Sequence, residues 1–165
     1  MIYVTTGTHP IPFDRLIAAM EAFARTTSEE VIIQAGASEI AIQYAKHLTF
    51  ISWDDSRRYI QSARVVVAQA GVGTLIDAIS VNARIIIWPR LGRYGEAAND
   101  HQLEIANVLN EQGRVLMVNS AEELTAALSR DLLPASNADG NKGGRLIVAL
   151  QDSLNKVRER GNRSN

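Results

Sequence analysis

Short apolar runs alternate along the chain with longer segments whose apolar residues recur at helical spacing. The runs span residues 2–5, 31–34, 48–51, 65–68, 84–88 and 115–118, and the helical segments span residues 13–25, 40–46, 56–62, 74–81, 99–111 and 121–130. Strands that are apolar on both faces and separated by helices indicate a parallel sheet covered on both sides. Right-handed crossovers then predict an α/β, doubly wound parallel sheet.

One domain is expected over residues 1–133, because a chain of 165 residues buries one proper core rather than two large ones. Residues 134–143 have the composition of a loop, rich in Gly and Asn. An amphipathic C-terminal helix is predicted over residues 144–160, since its leucines recur along one helical face, and residues 161–165 are expected to fray.

Charge and composition exclude several classes of protein. The net charge of −1 gives no reason to expect nucleic-acid binding, and the absence of cysteine excludes disulfides and thiolate metal sites. No leader pattern and no run of roughly 18 apolar residues is visible, so a cytoplasmic location is expected. From residue 142 onward six basic residues stand against two acidic ones, a balance that favours an anionic surface or an acidic partner.

The turn Gly71-Val72-Gly73-Thr74 follows a β-branched run and opens a helical segment. Glycines in such a turn let backbone N–H groups approach a phosphate closely, and the helix N-terminus adds about half a positive charge. A tight strand-to-helix turn without a ligand has the same pattern, so this segment alone leaves anion binding open.

Two further loops place polar residues where parallel strands are predicted to end. The first contains Gly7, Thr8 and His9 and lacks the GxGxxG fingerprint, which argues against a classical dehydrogenase. The second leads into Asn99-Asp100-His101-Gln102. Asn99 is a good N-cap and Gln102 stands at the third helical position as in a capping box, so the two residues either only cap the helix or belong to a polar site at this edge of the sheet. No His, Asp and Glu spacing resembles a metal triad, and no metal site is predicted.

Taken together, these segments resemble the C-terminal domain of family 28 glycosyltransferases, over most of residues 1–130. The matching pieces are Thr6-Gly7-Thr8, Pro12-Phe13-Asp14-Arg15-Leu16-Ile17, Ile33-Gln34-Ala35-Gly36, Ala70-Gly71-Val72-Gly73-Thr74, Trp88-Pro89-Arg90 and His101-Gln102-Leu103-Glu104-Ile105-Ala106. The pattern is most similar to the free-standing catalytic half of bipartite transferases of the dolichol-pathway and exopolysaccharide type. The resemblance implies a Rossmann-like fold, the single C-terminal-type lobe of a GT-B enzyme that binds a UDP-sugar.

By that resemblance, the diphosphate is held by Gly7, Thr8, Gln69, Gly71, Val72, Gly73 and Thr74. Relatives often carry histidine where this chain has Gln69, which donates a hydrogen bond but carries no positive charge. Phe50 and Trp53 lie in the segment that matches the uracil-reading loop. Asp77 matches the position where relatives place a glutamate on the ribose hydroxyls. His101 and Gln102 match residues that face the sugar hydroxyls.

The resemblance further implies an inverting, metal-independent transfer from a UDP-sugar, used as substrate without a cofactor, to a lipid-linked saccharide acceptor. The sequence leaves open which sugar is transferred, N-acetylglucosamine or another hexose, and Arg90, Arg93 and Tyr94 suit several. His9 is the candidate general base in this chain, and the partner lobe is the other possible source.

Since the chain supplies one lobe, a membrane-anchored, acceptor-binding subunit is expected to supply the second. That subunit would hold the chain at the inner membrane face, with the C-terminal helix as the docking element. The alternative is a non-catalytic module that binds a nucleotide sugar or acts as a scaffold. An epimerase-like fragment is a weaker interpretation, because that chemistry needs a second lobe.

Overall fold

The computed structural model describes residues 1–130, so the loop, helix and frayed end predicted after residue 133 lie outside the described residues. The strands are β1 (Ile2–Thr5), β2 (Val31–Gln34), β3 (Lys46–Leu48), β4 (Val65–Ala68), β5 (Ile85–Ile87) and β6 (Leu116–Met117). The α-helices are α1 (Asp14–Ala24), α2 (Trp53–Ser62), α3 (Val72–Ser80), α4 (His101–Glu111) and α5 (Ala121–Arg130), and a 3₁₀ turn covers Gly92–Tyr94.

The six strands form one parallel sheet in the order β3-β2-β1-β4-β5-β6. Ile2 of β1 lies opposite Val31 of β2 on one side and Val65 of β4 on the other. The direction of winding therefore reverses between β1 and β4. This arrangement confirms the predicted α/β, Rossmann-like doubly wound sheet, whose ligands bind beyond the strand ends at the reversal.

The sheet separates two apolar clusters, because alternate residues of each strand point to opposite faces. Ile2 and Val4 join the cluster under α1 and α5, whereas Tyr3 joins the cluster under α2, α3 and α4. Side chains buried to this degree contribute roughly 1.5–3 kcal/mol each to the free energy of folding. The core thus fixes the strand ends from which the polar loops emerge.

The prediction of a helix over residues 40–46 is wrong. The segment is irregular, and Ile40, Ile42 and Ala45 pack against the α1 side of the core at near-alternate positions. Its backbone N–H groups bond to α1 instead of to one another, since the N–H of Tyr44 donates to Glu21 Oε1 at 2.8 Å. The third strand accordingly lies at Lys46–Leu48, earlier than the predicted residues 48–51.

Two helix starts also differ from the prediction. Helix α2 begins at Trp53 rather than at residue 56, because the Ser52 side chain caps it by accepting from the N–H of Asp55. Helix α4 has Asp100, not Asn99, at its N-cap position, without a side-chain cap. The Asp100 carboxylate accepts from the N–H of Gly92 at 2.8 Å, so it anchors the preceding turn instead.

Candidate functional site

A cleft of about 610 Å³ opens at the carboxyl ends of β1 and β4, where the strand order reverses. Of the residues predicted from the sequence, it brings together Gly7, Thr8, His9, Phe50, Trp53, Gln69, Gly71, Val72, Gly73, Thr74, Asp77 and Gln102. His101 begins helix α4, but its side chain is outside the described part of the chain. Arg90, Arg93 and Tyr94 are not among the residues that line the cleft.

The loop after β1 is held by two buried side chains of neighbouring strands. Gln34 Oε1 accepts from Thr5 Oγ1 at 2.6 Å, and Gln34 Nε2 donates to the carbonyls of Gly7 (3.2 Å) and Thr49 (2.9 Å). Thr5 Oγ1 in turn accepts from the N–H of Gly7 at 3.1 Å. The sequence contains Gln34 in a matching motif, but its supporting role follows only from the parallel pairing of β1 and β2.

Gly7 has a backbone φ of 71°, in the left-handed region that favours glycine. A Cβ atom at this position would lie 2.6 Å from Gln69 Nε2. The backbone conformation and the contact with the Gln69 amide therefore both favour glycine at this position, whatever ligand the cleft takes.

Gln69 is a junction between three loops. Only 5% of it is exposed, and its Nε2 donates to the Thr6 carbonyl at 2.7 Å. Its Oε1 accepts from Arg90 Nε and from Gln102 Nε2, the latter at 3.3 Å. Gln102 Oε1 also accepts from the Arg90 N–H at 3.4 Å. Of the two roles that the sequence left open for Gln102, the structure excludes the capping box, because the side chain bonds to the cleft network instead of the helix end.

Arg90 is a structural residue of this network, although the sequence suggested it as a sugar contact. It is 1% exposed, and its Nη1 donates to the carbonyls of Ile11 (2.8 Å) and Pro12 (2.9 Å). Its guanidinium carbon lies 4.7 Å from the centre of the Phe13 ring. Burial lowers the pKa of Arg90 to about 10, so the side chain remains charged at neutral pH.

The glycine turn lines the cleft with Gly71, Val72, Gly73 and Thr74. Helix α3 begins at Val72 with Gly71 at its N-cap position, and no side chain caps its first turn. A Cβ atom built on Gly73 would meet no protein atom within 4 Å. The N–H groups of this turn are consequently open to a ligand, with the helix dipole favouring negative charge.

Aromatic side chains form a rim of the same cleft. Phe50 and Trp53 are 56% and 59% exposed, an unusual placement for large apolar rings. Trp53 Nε1 donates to Asp77 Oδ2 at 2.8 Å, which joins the first turn of α2 to α3. The sequence assigns these residues to one subsite, but the hydrogen bond between them is a finding of the structure.

His9 lies on the same cleft, and its Nδ1 accepts from the N–H of Ile11 at 3.2 Å. A neutral imidazole whose Nδ1 accepts carries its proton on Nε2. In this geometry His9 presents a hydrogen-bond donor at Nε2, whereas a general base needs a lone pair.

No group of three or more His, Cys, Asp or Glu side chains within residues 1–130 is arranged to hold a metal ion. No helix in the same range is both long and apolar enough to cross a membrane.

The sheet order and the cleft at its reversal define a Rossmann-like lobe of the kind found in GT-B glycosyltransferases. The sequence matches the family model for the glycosyltransferase family 28 C-terminal domain over residues 1–144. The chain therefore belongs to the glycosyltransferase family 28 C-terminal domain family. No curated protein sequence gives a significant match.

Solved structures with the same fold include one of nearly the same length and others more than twice as long. The chain is 18% identical to ALG13, covering 89% of this chain and 94% of ALG13 with a TM-score of 0.57. It is 16% identical to the glycotransferase of kitacinnamycin, covering 92% of this chain and 39% of that enzyme with a TM-score of 0.65. It is 17% identical to glycosyltransferase SsfS6 of Streptomyces sp. SF2575, whose structure is a complex with thymidine diphosphate. That match covers 92% of this chain and 37% of SsfS6 with a TM-score of 0.56.

Proposed function

We propose that this chain is the nucleotide-sugar-binding lobe of a UDP-sugar hexosyltransferase that acts on a lipid-linked acceptor. The observation that carries the proposal is the juxtaposition, in one cleft, of an uncapped glycine turn and an aromatic rim. The first suits a diphosphate and the second suits a nucleobase. A family 28 domain and a similar fold in complex with thymidine diphosphate support the same ligand class.

The diphosphate is proposed to lie on the first turn of α3. Gly73 leaves room for a close approach, and Thr74 supplies a further donor from the same turn. The loop at Gly7 and Thr8 lines the cleft from the end of β1 and supplies donors from there. Gln69 is proposed to act here chiefly by fixing the two loops, because its amide is already bonded to Thr6, Arg90 and Gln102.

The nucleoside is proposed to rest against Phe50 and Trp53, with Asp77 accepting from the ribose. Stacking on an aromatic ring is worth about 1–3 kcal/mol per base in single-stranded nucleic-acid complexes. The hexose then extends toward Gln102 and His101 at the start of α4. Gln102 lies at the edge of the Gln69 and Arg90 network, where its orientation is fixed.

The transfer is proposed to invert the anomeric carbon without a metal or cofactor. Departing UDP would be stabilised by the N–H groups and dipole of α3, and oriented donors of this kind contribute about 3 kcal/mol each to transition-state stabilisation. The acceptor hydroxyl needs a general base. We place that base on the second lobe, because a neutral His9 whose Nδ1 accepts from the Ile11 N–H carries its proton on Nε2 and has no free lone pair there.

A partner subunit is proposed to carry that second lobe, to bind the lipid-linked saccharide and to hold the chain at the cytoplasmic membrane face. The near-complete overlap with ALG13 supports a free-standing lobe, whereas the chain spans about two fifths of the longer glycosyltransferases. N-acetylglucosamine is the first donor sugar to test, followed by other hexoses.

The test is the Gly73→Val variant, assayed for UDP binding by calorimetry. Its side chain would enter the space proposed for the diphosphate, so we expect binding to weaken at least about tenfold, the loss of roughly one good hydrogen bond to charge. The fold should tolerate the change, because a Cβ atom there meets no protein atom and valine is no worse than glycine in a helix.

Ser80→Val is the matched control, since Ser80 is an exposed residue at the other end of α3. It should leave UDP affinity unchanged. If Gly73→Val bound UDP as tightly as the unmodified chain, the diphosphate would not lie on this turn and the proposal would fail.

A further inference from the structure

Trp53 is exposed but held in place by two contacts. Its Nε1 donates to Asp77 Oδ2 at 2.8 Å, and the Arg57 guanidinium carbon lies 5.2 Å from the centre of its ring. A tryptophan that is 59% exposed would otherwise be free to change rotamer. The contacts fix the indole from its edge and from one face.

The Asp77 carboxylate has one oxygen engaged and one available. Oδ2 accepts from Trp53, whereas Oδ1 has no hydrogen-bond partner within residues 1–130. Asp77 lines the cleft one helical turn after Gly73, on the element that presents the glycine turn. A hydroxyl-bearing ligand that reaches from the turn toward the aromatic rim would pass the Asp77 carboxylate.

We propose that Trp53 is a positioning residue: by donating to Oδ2 it orients Asp77 so that Oδ1 accepts from a ribose hydroxyl. This inference rests on the proposed function and adds to it a means of distinguishing ribose from deoxyribose. A carboxylate already held in one rotamer loses less side-chain entropy when the ligand binds. The indole N–H is therefore needed for sugar selectivity, while the indole ring serves stacking.

The two roles of Trp53 can be separated with nucleotides that lack one hydroxyl. Loss of a hydrogen bond to a charged group costs roughly 1.5–3 kcal/mol, which corresponds to about tenfold or more in affinity. We therefore expect the unmodified chain to prefer UDP to 2′-deoxy-UDP or 3′-deoxy-UDP by about tenfold, depending on which hydroxyl meets Oδ1.

Trp53→Phe keeps an aromatic ring and removes the donor. Calorimetry with the full chain and all three nucleotides should show the preference for UDP falling to about threefold or less. The affinity of this variant for the deoxy nucleotide should stay within about twofold of that of the unmodified chain. Asp77→Ala should abolish the preference, and adding Trp53→Phe to Asp77→Ala should not change the preference further. Phe50→Leu is the matched control, since it removes a rim aromatic without touching Asp77 and should weaken all three nucleotides alike.

Two results would overturn the inference. The first is a Trp53→Phe variant that keeps the full preference, whether it binds all three nucleotides as tightly as the unmodified chain or more weakly in equal proportion. The second is an unmodified chain that binds UDP without any preference over the deoxy nucleotides, which would leave the proposed function standing. Failure of the unmodified chain to bind UDP at all would remove the proposed function together with the inference.

Discussion

Side chains around the cleft divide according to burial. Three of them, Gln34, Gln69 and Arg90, are nearly inaccessible. Each donates hydrogen bonds to backbone carbonyls, and Arg90 also donates to Gln69. Phe50 and Trp53 are more than half exposed and face the cleft. The buried amides and guanidinium fix the loops, which leaves the exposed rings for recognition.

His9 gives a test at the scale of one residue. We expect His9→Gln to retain transfer to within about tenfold in the complete two-lobe enzyme, because an amide N–H can replace the donor at Nε2. His9→Ala should lose more than His9→Gln. If His9 were the general base, both variants would lose about 10²–10⁴ in kcat, and steady-state kinetics would distinguish the outcomes.

At the scale of elements, Arg90 connects the loop after β5 to the loops after β1 and β4. Its guanidinium reaches Thr6 and Ile11 in the loop after β1 and Gln69 after β4, two segments that approach one another only in the folded sheet. The network places the glycine turn, the His9 loop and the start of α4 at fixed distances.

Replacing Arg90 by methionine should therefore destabilise the fold severely. The change leaves several buried acceptors without donors, and we expect the free energy of unfolding to fall by about 3–5 kcal/mol. Chemical denaturation followed by circular dichroism measures the loss. Arg93→Met is the control, because Arg93 is exposed, and it should change stability by less than about 0.5 kcal/mol. Equal, small effects in both variants would contradict the structural role assigned to Arg90.

At the scale of the whole molecule, the described residues form one lobe whose cleft is open to solvent. Two of the longer glycosyltransferases with this fold are covered to less than two fifths of their length, whereas ALG13 is covered almost completely. Under the proposed function, such a lobe needs an acceptor-binding surface from elsewhere.

We expect the purified chain to bind UDP in calorimetry but to transfer sugar only after a membrane-anchored second lobe is added. Radiolabelled UDP-N-acetylglucosamine and a lipid-linked acceptor provide the assay, with each lobe alone as the control. Full activity of the chain by itself would refute the two-lobe proposal. UDP binding without transfer in the assembled pair would instead favour a non-catalytic nucleotide-sugar-binding module.

The sequence by itself determined the architecture and the edge of the sheet where the cleft lies. Apolar runs such as residues 65–68 are too short for helices and apolar on both faces, so they predict buried parallel strands from local information. Polar loops that follow such strands share one edge of the sheet, which is why the glycine turn and Gln102 were predicted to lie together.

The tertiary structure decided what each polar side chain does, because the partners are distant in sequence. The sequence left open whether Gln102 only caps its own helix or faces the cleft. In the structure Gln102 bonds to Gln69, 33 positions away, and Trp53 bonds to Asp77 across 24 positions. Residues 40–46 do not form the predicted helix, because they make contacts with α1 and the core beneath it instead. Local patterns specify periodicity and turns, whereas hydrogen bonds between loops depend on the distances that sheet order imposes.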